Sequence, residues 1–248
     1  DMLSGKTGDP NLRDKQKAAL RRIPLLRKQT GMLALQHRPG TVITNQLRAM
    51  PPTATTKYAK QYDREVMKVA HGIVGITSED GQQYDAQIQS PLNMGGFGLT
   101  SADSTAAPAY IAGAENTLRH SPAFASVWTG EIPLHPASPM SQAIDDSIAR
   151  FKATTSILEK DCTTEHLTCL SPHTSALLPS SAANFVEFYK AKPSSVIQAA
   201  LTHRISTLSF IARVSAAGKQ GKAGHCTIAR LQSLRETGSA VWLQTLPT

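Results

Sequence analysis

The sequence predicts a mostly α-helical protein, made of irregular helical bundles joined by long connections rich in proline and glycine. Strand signals are scarce, because no run of residues alternates apolar and polar side chains with β-branched enrichment. Apolar residues instead recur at three- and four-residue spacing, which is typical of helices that bury one face. Aromatic residues make up only 5% of the 248 residues, so we expect an aliphatic core.

The first helices are predicted from helix formers and from the prolines between them. Residues 11–22 contain good helix formers, and Pro24 is expected to bend or restart that helix. Pro39-Gly40 is a turn signal. Residues 41–49 are then expected to form a short helix that stops before two prolines.

A longer helix is predicted next, capped by Thr53 or Thr55 and running to about residue 75. Its apolar residues form one stripe, made of Tyr58, Tyr62, Val66, Val69, Ala70, Ile73 and Val74. Its basic residues lie away from that stripe, on a face predicted to be solvated, at Lys57, Lys60, Arg64 and Lys68.

The middle of the chain is predicted to hold a glycine-rich turn and an alanine-rich helix. The turn covers residues 91–99, where glycines are expected to supply positive φ and a close backbone approach. The helix follows over residues 101–118. Residues 122–139 contain four prolines and little periodicity, which predicts an irregular connection.

The last part of the chain is predicted to be helical with polar interruptions. A helix opens at Pro139 or Ser141 and runs to about Leu158. Its inward side chains are expected to be Ile144, Ile148, Phe151 and Ile157. A polar, proline-broken segment covers residues 161–181, and further helices are predicted at about 182–191, 194–216 and 225–236.

The positive charge is concentrated at the two ends of the chain. The protein has 26 Lys and Arg against 18 Asp and Glu, a net charge of +8. Residues 13–28 contain seven basic residues and one acidic residue, and residues 190–248 contain eight and one. Residues 29–189 are mildly acidic. The ends are therefore expected to contact an anionic partner.

RNA is the favoured anionic partner, because phosphate contacts require only positioned lysines and arginines. The candidate RNA-binding residues are Arg13, Lys15, Lys17, Arg21, Arg22, Arg27, Lys28, Lys219 and Lys222. The alternatives are a plain solvated surface and a membrane surface. We expect no membrane contact, because the leucine-containing helix near the start has no Trp or Phe.

The sequence gives only weak support for a metal site, a phosphate loop or a catalytic site. Cys162, His166, Cys169 and His173 carry thiolate and imidazole groups that zinc prefers, but their spacing fits no standard module, so metal binding there stays open. Gly5-Lys6-Thr7 matches only the end of a phosphate loop. No Gly-x-Ser-x-Gly elbow is present, and neighbouring carboxylates such as Asp145-Asp146 point about 100° apart on a helix.

Several short segments match the pattern of a known family. Residues 91–102 read PLNMGGFGLTSA, and an alanine-rich segment with a tyrosine follows at 106–113. Residues 45–52 read NQLRAMPP, residues 62–66 read YDREV, and residues 229–247 contain ARLQSL, GSAVWL and a final LP. Together these segments resemble the thumb and post-thumb region of non-LTR retrotransposon reverse-transcriptase-like proteins.

The resemblance implies a helical module that contacts RNA or a duplex without polymerase chemistry. Such polymerases hold two metal ions with carboxylates, one pair in a Tyr-x-Asp-Asp turn, and no such turn occurs here. We therefore expect no enzyme activity, no cofactor and no small-molecule substrate. The expected organisation is a basic extension (1–30), a thumb-like region (31–120), a linker (121–140) and a C-terminal helical region (141–248).

The combined expectation is a structural RNA-binding component of a ribonucleoprotein, most economically an accessory protein of a mitochondrial ribosome. Its partners would be rRNA and neighbouring proteins of the particle. An intracellular location is expected, because three cysteines suit a reducing compartment and no secretory leader opens the chain. The alternative is a fragment or subunit of an active reverse transcriptase whose palm lies on another chain.

Overall fold

A computed structural model describes residues 18–76, 84–85, 88–90, 92, 96–162 and 176–218, with the side chains of 37–42, 213–214 and 216–218 not included. Helix accounts for 79% of this described part, and no strand occurs in it. The predicted mostly α-helical fold class is therefore confirmed.

Seven α-helices lie wholly within the described residues. They are α1 (Lys28–Ala49), α2 (Pro52–Val74), α3 (Ala102–His120), α4 (Ala125–Thr129), α5 (Pro139–Lys160), α6 (Phe185–Tyr189) and α7 (Ser194–Gly218). Short 3₁₀ turns precede α1, α4 and α6, at Ile23–Leu25, Pro122–Phe124 and Ala182–Asn184. Residues 18–22 are helical, as predicted, and the predicted bend at Pro24 coincides with the first 3₁₀ turn.

Helix α1 contradicts the predicted turn at Pro39-Gly40, because its backbone stays helical across both residues. A proline inside a helix removes one N–H donor and costs about 3 kcal/mol. Large apolar side chains are buried on both sides of it: Leu35 is 2% exposed, Ile43 3% and Leu47 1%. Burying each such side chain gains about 1.5–3 kcal/mol, so packing outweighs the local penalty.

Helix α2 begins two or more residues earlier than predicted. Pro52 is its first residue, a position where the missing N–H would have had no partner inside the helix. The predicted caps at Thr53 and Thr55 are wrong, because both residues lie inside the helix. The Thr55 hydroxyl donates back to the carbonyl of Pro51 at 3.3 Å. The predicted apolar stripe is largely buried, with Tyr62, Val66, Ala70 and Ile73 all at 9% exposure or less.

Helix α5 starts as predicted but buries a different face near its end. The Ser138 hydroxyl accepts a hydrogen bond from the Ser141 backbone N–H at 3.1 Å and caps the helix, which starts at Pro139. Ile144, Ile148 and Phe151 are buried. Ile157 was predicted to face inward and is 63% exposed. The buried row continues from Phe151 to Thr155 at four-residue spacing, which turns Ile157 outward.

The connection between α3 and α5 contains more regular structure than its four prolines predict. A 3₁₀ turn leads directly into α4, which ends at Gly130 in the left-handed conformation with φ of 89°. Phe124, Val127 and Trp128 pack against the neighbouring core. These contacts hold the connection in place although its sequence has no helical periodicity.

The described residues fall into two compact units. The first contains the described parts of 18–43 and 57–103, and the second those of 44–56 and 104–218. In the second unit, α3 is buried on all sides over residues 106–115. Around it lies one apolar core, whose large fully buried members include Ile111, Leu118, Ile144, Phe151, Phe185, Tyr189 and Leu201.

One arginine joins three parts of this second unit. Arg119 forms an ion pair with the buried carboxylate of Glu115, and its guanidinium lies 4.6 Å from the ring centroid of Trp128. Its Nη2 donates to the carbonyl oxygens of Tyr189, the last residue of α6, and of Lys190 and Lys192, which follow it. Arg119 therefore has a structural role. It donates hydrogen bonds to carbonyl groups at the end of a short helix, which have no partner within the helix.

Candidate nucleic-acid interface

Four of the predicted RNA-binding residues lie in the described part of the chain. Arg21, Arg22 and Arg27 are exposed, and Lys28 is partly exposed. Arg13, Lys15, Lys17, Lys219 and Lys222 lie outside the described residues. The structure thus places the described cations of the predicted basic stretch 13–28 at the surface.

Two apolar side chains anchor the exposed arginines. Leu20 is 5% exposed and Ile23 is 6% exposed, so the chain is held by packing on both sides of Arg21 and Arg22. Guanidinium groups on a packed segment lose less freedom when they bind than groups on a free tail. The segment is therefore a positioned cationic surface.

The arginine segment lies at the carboxyl end of α2. A Cβ atom placed on Gly31 would lie 3.3 Å from the Ile23 carbonyl oxygen and 3.4 Å from Cδ1 of Ile73. Ile23, Gly31 and Ile73 all belong to the first unit. This close packing links the 3₁₀ turn and the start of α1 to the last turns of α2.

Helix α2 presents a second set of cations. Lys57, Lys60, Arg64 and Lys68 are exposed, and we call this set the α2 basic face. Their spacing of three, four and four residues places them on one side of the helix, opposite the buried stripe. The sequence predicted that these residues are solvated, which is confirmed, but did not assign them to a binding site.

The α2 basic face is free of ion pairs within the described residues. The acidic residues of α2 are Asp63 and Glu65. Asp63 is engaged elsewhere, and Glu65 is exposed without an ion pair to Lys68, which lies about one turn along the helix. A face with unpaired cations has a positive potential that attracts polyanions.

The Asp63 carboxylate fixes the rotation of α2 about its axis. It accepts hydrogen bonds from the Ser101 hydroxyl at 2.7 Å, the Ala102 N–H at 2.7 Å and the Asp103 N–H at 3.1 Å. These donors lie at the start of α3, so Asp63 caps a neighbouring helix. Because this rotation is fixed, the buried stripe stays on the packed side of α2 and the basic residues stay on the opposite, exposed side, with Lys60 nearest to Asp63 around the helix axis.

Burial shifts the pKa values of two neighbouring groups on α2. Desolvation raises the pKa of the Asp63 carboxyl, and the three hydrogen bonds oppose that shift only in part. Burial also raises the pKa of the Tyr62 phenol, with a smaller effect from the Asp63 charge. Both groups sit on the packed side of the helix, so their titration leaves the charge of the α2 basic face unchanged.

The described aromatic rings are mainly used in packing. Tyr62, Phe97, Tyr110, Phe151, Phe185, Tyr189 and Phe210 are buried. Tyr84, at 41% exposure, is an exception. Proteins that bind single-stranded nucleic acids usually stack the bases on exposed aromatic side chains. The exposed surface described here is therefore suited to backbone contacts.

Several basic residues in the interior of the sequence have structural roles. Arg48 donates to Gln198 Oε1 at 2.7 Å and to the Ser194 hydroxyl at 3.1 Å. Arg204 is 7% exposed and forms an ion pair with Glu159 at 2.9 Å. These charges hold helices together, so net charge alone overstates the cations available to a partner.

The described residues of the segments that carry the family resemblance belong to the two compact units, whereas residues 229–247, including the helix predicted at about 225–236, lie outside the described part. In the first unit, Gly98 has a φ of 72°, and a Cβ on Gly96 would overlap the Ser90 carbonyl, as expected for a glycine-rich turn. In the second unit, a Cβ on Gly113 would overlap the carbonyl oxygen of Arg48. The predicted roles of Gly96 and Gly98 are therefore confirmed, while Gly95 lies outside the described residues.

The possible metal set is only partly described. Cys162 lies in the described part, while His166, Cys169 and His173 do not. The Cys162 thiol donates to the carbonyls of Leu158 at 3.2 Å and Leu208 at 3.7 Å, and burial is the main cause that raises its pKa. No group of three or more potential metal-binding side chains occurs among the residues that the structure covers.

None of the helices in the described ranges has the length and apolar character needed to cross a membrane. Comparison with protein-family models, with curated proteins and with solved structures finds no match to this chain.

Proposed function

We propose that this protein is a non-catalytic, RNA-binding component of a ribonucleoprotein. The observation that carries the proposal is the exposure of Arg21, Arg22 and Arg27 on a segment anchored by Leu20 and Ile23. Guanidinium groups present a planar set of donors that matches phosphate oxygens, and anchoring positions them before RNA arrives.

The composition supports RNA as the polyanion. The net charge is +8 and the pI is about 9.5, so the chain is drawn to phosphate-rich surfaces. Because the described aromatic rings are largely buried, recognition would rest on charge and shape, with little reading of base sequence. A component that binds through the backbone fits a folded RNA whose shape is set by the particle.

The use of the described carboxylates supports a structural role over a catalytic one. Asp63 caps α3, and Asp145 accepts a hydrogen bond from the Ala182 N–H at 2.7 Å. Glu115 and Glu159 are each paired with an arginine. Each of these groups stabilises a helix end or a helix contact, which is what a scaffold protein requires of them.

We propose the mitochondrial ribosome as the host particle, with rRNA and neighbouring ribosomal proteins as partners. This proposal rests on the resemblance to a palm-less polymerase region and on the basic ends of the chain. Such particles collect basic accessory proteins whose ends follow rRNA, and the stretch 13–28 suits that use.

Charge neutralisation of the arginine segment tests RNA binding. Arg21, Arg22, Arg27 and Lys28 are replaced together by Gln, and affinity for unrelated RNA oligonucleotides is measured by fluorescence anisotropy across a salt series. We expect weaker binding for every sequence, and a drop of about 3 in the slope of log affinity against log salt, because each lost phosphate contact removes about 0.7–0.9.

A matched control variant separates local binding from net charge. Lys152 and Lys160 are exposed lysines of the second unit that lie outside both basic ends, and replacing each of them by Glu lowers the net charge by the same four units. This control is expected to bind RNA nearly as the unmodified chain does. An affinity of the unmodified chain that does not change with salt would overturn the proposed function.

A further inference from the structure

We propose that the α2 basic face (Lys57, Lys60, Arg64 and Lys68) is a second phosphate-binding surface, which follows the backbone of an RNA strand without reading its bases. The inference rests on the proposed function and deepens it, because it adds a helical surface in the mildly acidic middle of the sequence to the basic ends.

The spacing of the four cations suits a chain of phosphates. Residues three or four apart on a helix are neighbours, with Cβ atoms about 5–6 Å apart. The four residues span eleven positions, or roughly 16 Å along the axis at 1.5 Å per residue. Long, flexible lysine side chains can adjust to successive phosphates along such a row.

The buried side of α2 makes this row rigid. Ala59 and Ala70 are 0% exposed, and Tyr62 and Val66 are each below 10%. Asp63 adds the hydrogen bonds to the start of α3 that fix the rotation of the helix. The backbone of the α2 basic face is thus ordered before RNA binds, so association costs this helix side-chain freedom but little backbone freedom.

Charge complementarity identifies the occupant. The face has four cations without an ion pair in the described part of the chain, and the exposed acid next to it is Glu65. The exposed side of α2 is polar from Lys57 to Lys68, so it offers no apolar surface for a partner to bury. The ligand that matches a row of point charges on a polar face is a phosphodiester backbone.

The test compares two variants that lower the net charge by the same four units. In one, Lys57, Lys60, Arg64 and Lys68 are replaced by Gln; the other is the lysine control on the second unit. Both are first compared with the unmodified chain by thermal unfolding. Binding is then measured for poly(A), poly(U) and an RNA hairpin between 50 and 200 mM salt. We expect at least about tenfold weaker binding by the α2 variant, for all three RNAs, with a slope smaller by about 3.

A third variant gives a gain of binding, which misfolding would not mimic. Replacing Glu65 by Gln removes the acid beside the row and is expected to tighten binding about twofold to the same three RNAs.

The outcomes distinguish this inference from the proposed function. If the unmodified chain binds RNA but the α2 variant matches the lysine control, the α2 basic face is not a binding surface, while the proposed function stands. A Glu65→Gln variant that binds no tighter argues against the inference in the same way. If the unmodified chain does not bind these RNAs at 50 mM salt, the proposed function itself fails.

Discussion

Single residues decide how closely two helices approach in the second unit. A side chain on Gly113 would overlap the Arg48 carbonyl, whereas one on Gly72, exposed on α2, would meet nothing within 4 Å. Both glycines lie inside helices, where alanine is intrinsically preferred by about 1 kcal/mol. Any difference between them must therefore come from packing against the neighbouring backbone.

Alanine substitutions at these two glycines are expected to have opposite effects. Gly113→Ala should lower the free energy of unfolding by about 1–3 kcal/mol, because backbone atoms of α1 must move. Gly72→Ala should raise it by about 0.4–1 kcal/mol, because it restricts the unfolded chain without a clash. Urea denaturation followed by circular dichroism measures both values. Equal effects at the two sites would contradict the close approach of α1 and α3.

At the scale of elements, the orientation of α2 depends on a capping carboxylate. Asp63 joins α2 to the first turn of α3 through three hydrogen bonds. Its pKa is raised from the ordinary value of 3.8, mainly by desolvation. The folded protein therefore binds more protons at Asp63 than the unfolded chain does in the pH range just above 3.8.

We expect acidification to increase the contribution of Asp63 to stability. Above its folded pKa the desolvation cost of the carboxylate is fully present, and the cost is relieved as pH falls through that pKa toward 3.8. An Asp63→Asn variant lacks this titration, so the unmodified chain should gain stability relative to it between pH 7 and pH 4. The gain is about 1.4 kcal/mol for each unit of pKa shift.

Chemical denaturation of both chains at several pH values measures this difference. A difference that stays constant would mean that the hydrogen bonds cancel desolvation and leave the pKa of Asp63 unshifted, and one that shrinks on acidification would mean that they lower it. Either result would contradict the prediction.

At the scale of the whole molecule, the charge distribution leads to a prediction about the native assembly. The chain carries +8, and the cations on its described surface include two clusters, at residues 21–28 and on the α2 basic face. If RNA holds the chain in a particle, complete ribonuclease digestion of a native extract should shift it from fast-sedimenting to slow-sedimenting gradient fractions. Deoxyribonuclease treatment is the control. Co-sedimentation with particle proteins after RNA digestion would instead indicate a scaffold bound to acidic proteins.

The sequence alone determined the helical class and much of the candidate interface. The three- and four-residue periodicity of α2 was enough to separate its buried stripe from Lys57, Lys60, Arg64 and Lys68, because both faces belong to one helix. The turn formed around Gly98 was also predictable, since positive φ is a local property of glycine. Both features depend on residues close together in the chain, so the sequence alone predicts them.

Only the tertiary structure decided where a helix continues against the preference of its own residues. It also decided which basic side chains form ion pairs and which stay exposed. The helix continues through Pro39 because distant side chains bury Leu35 and Ile43, and no sequence window contains that packing. Likewise, Arg204 is engaged by Glu159, 45 residues away, whereas Arg64 remains exposed. Both arginines carry the same charge, and the difference arises because long-range contacts form only when the whole chain folds.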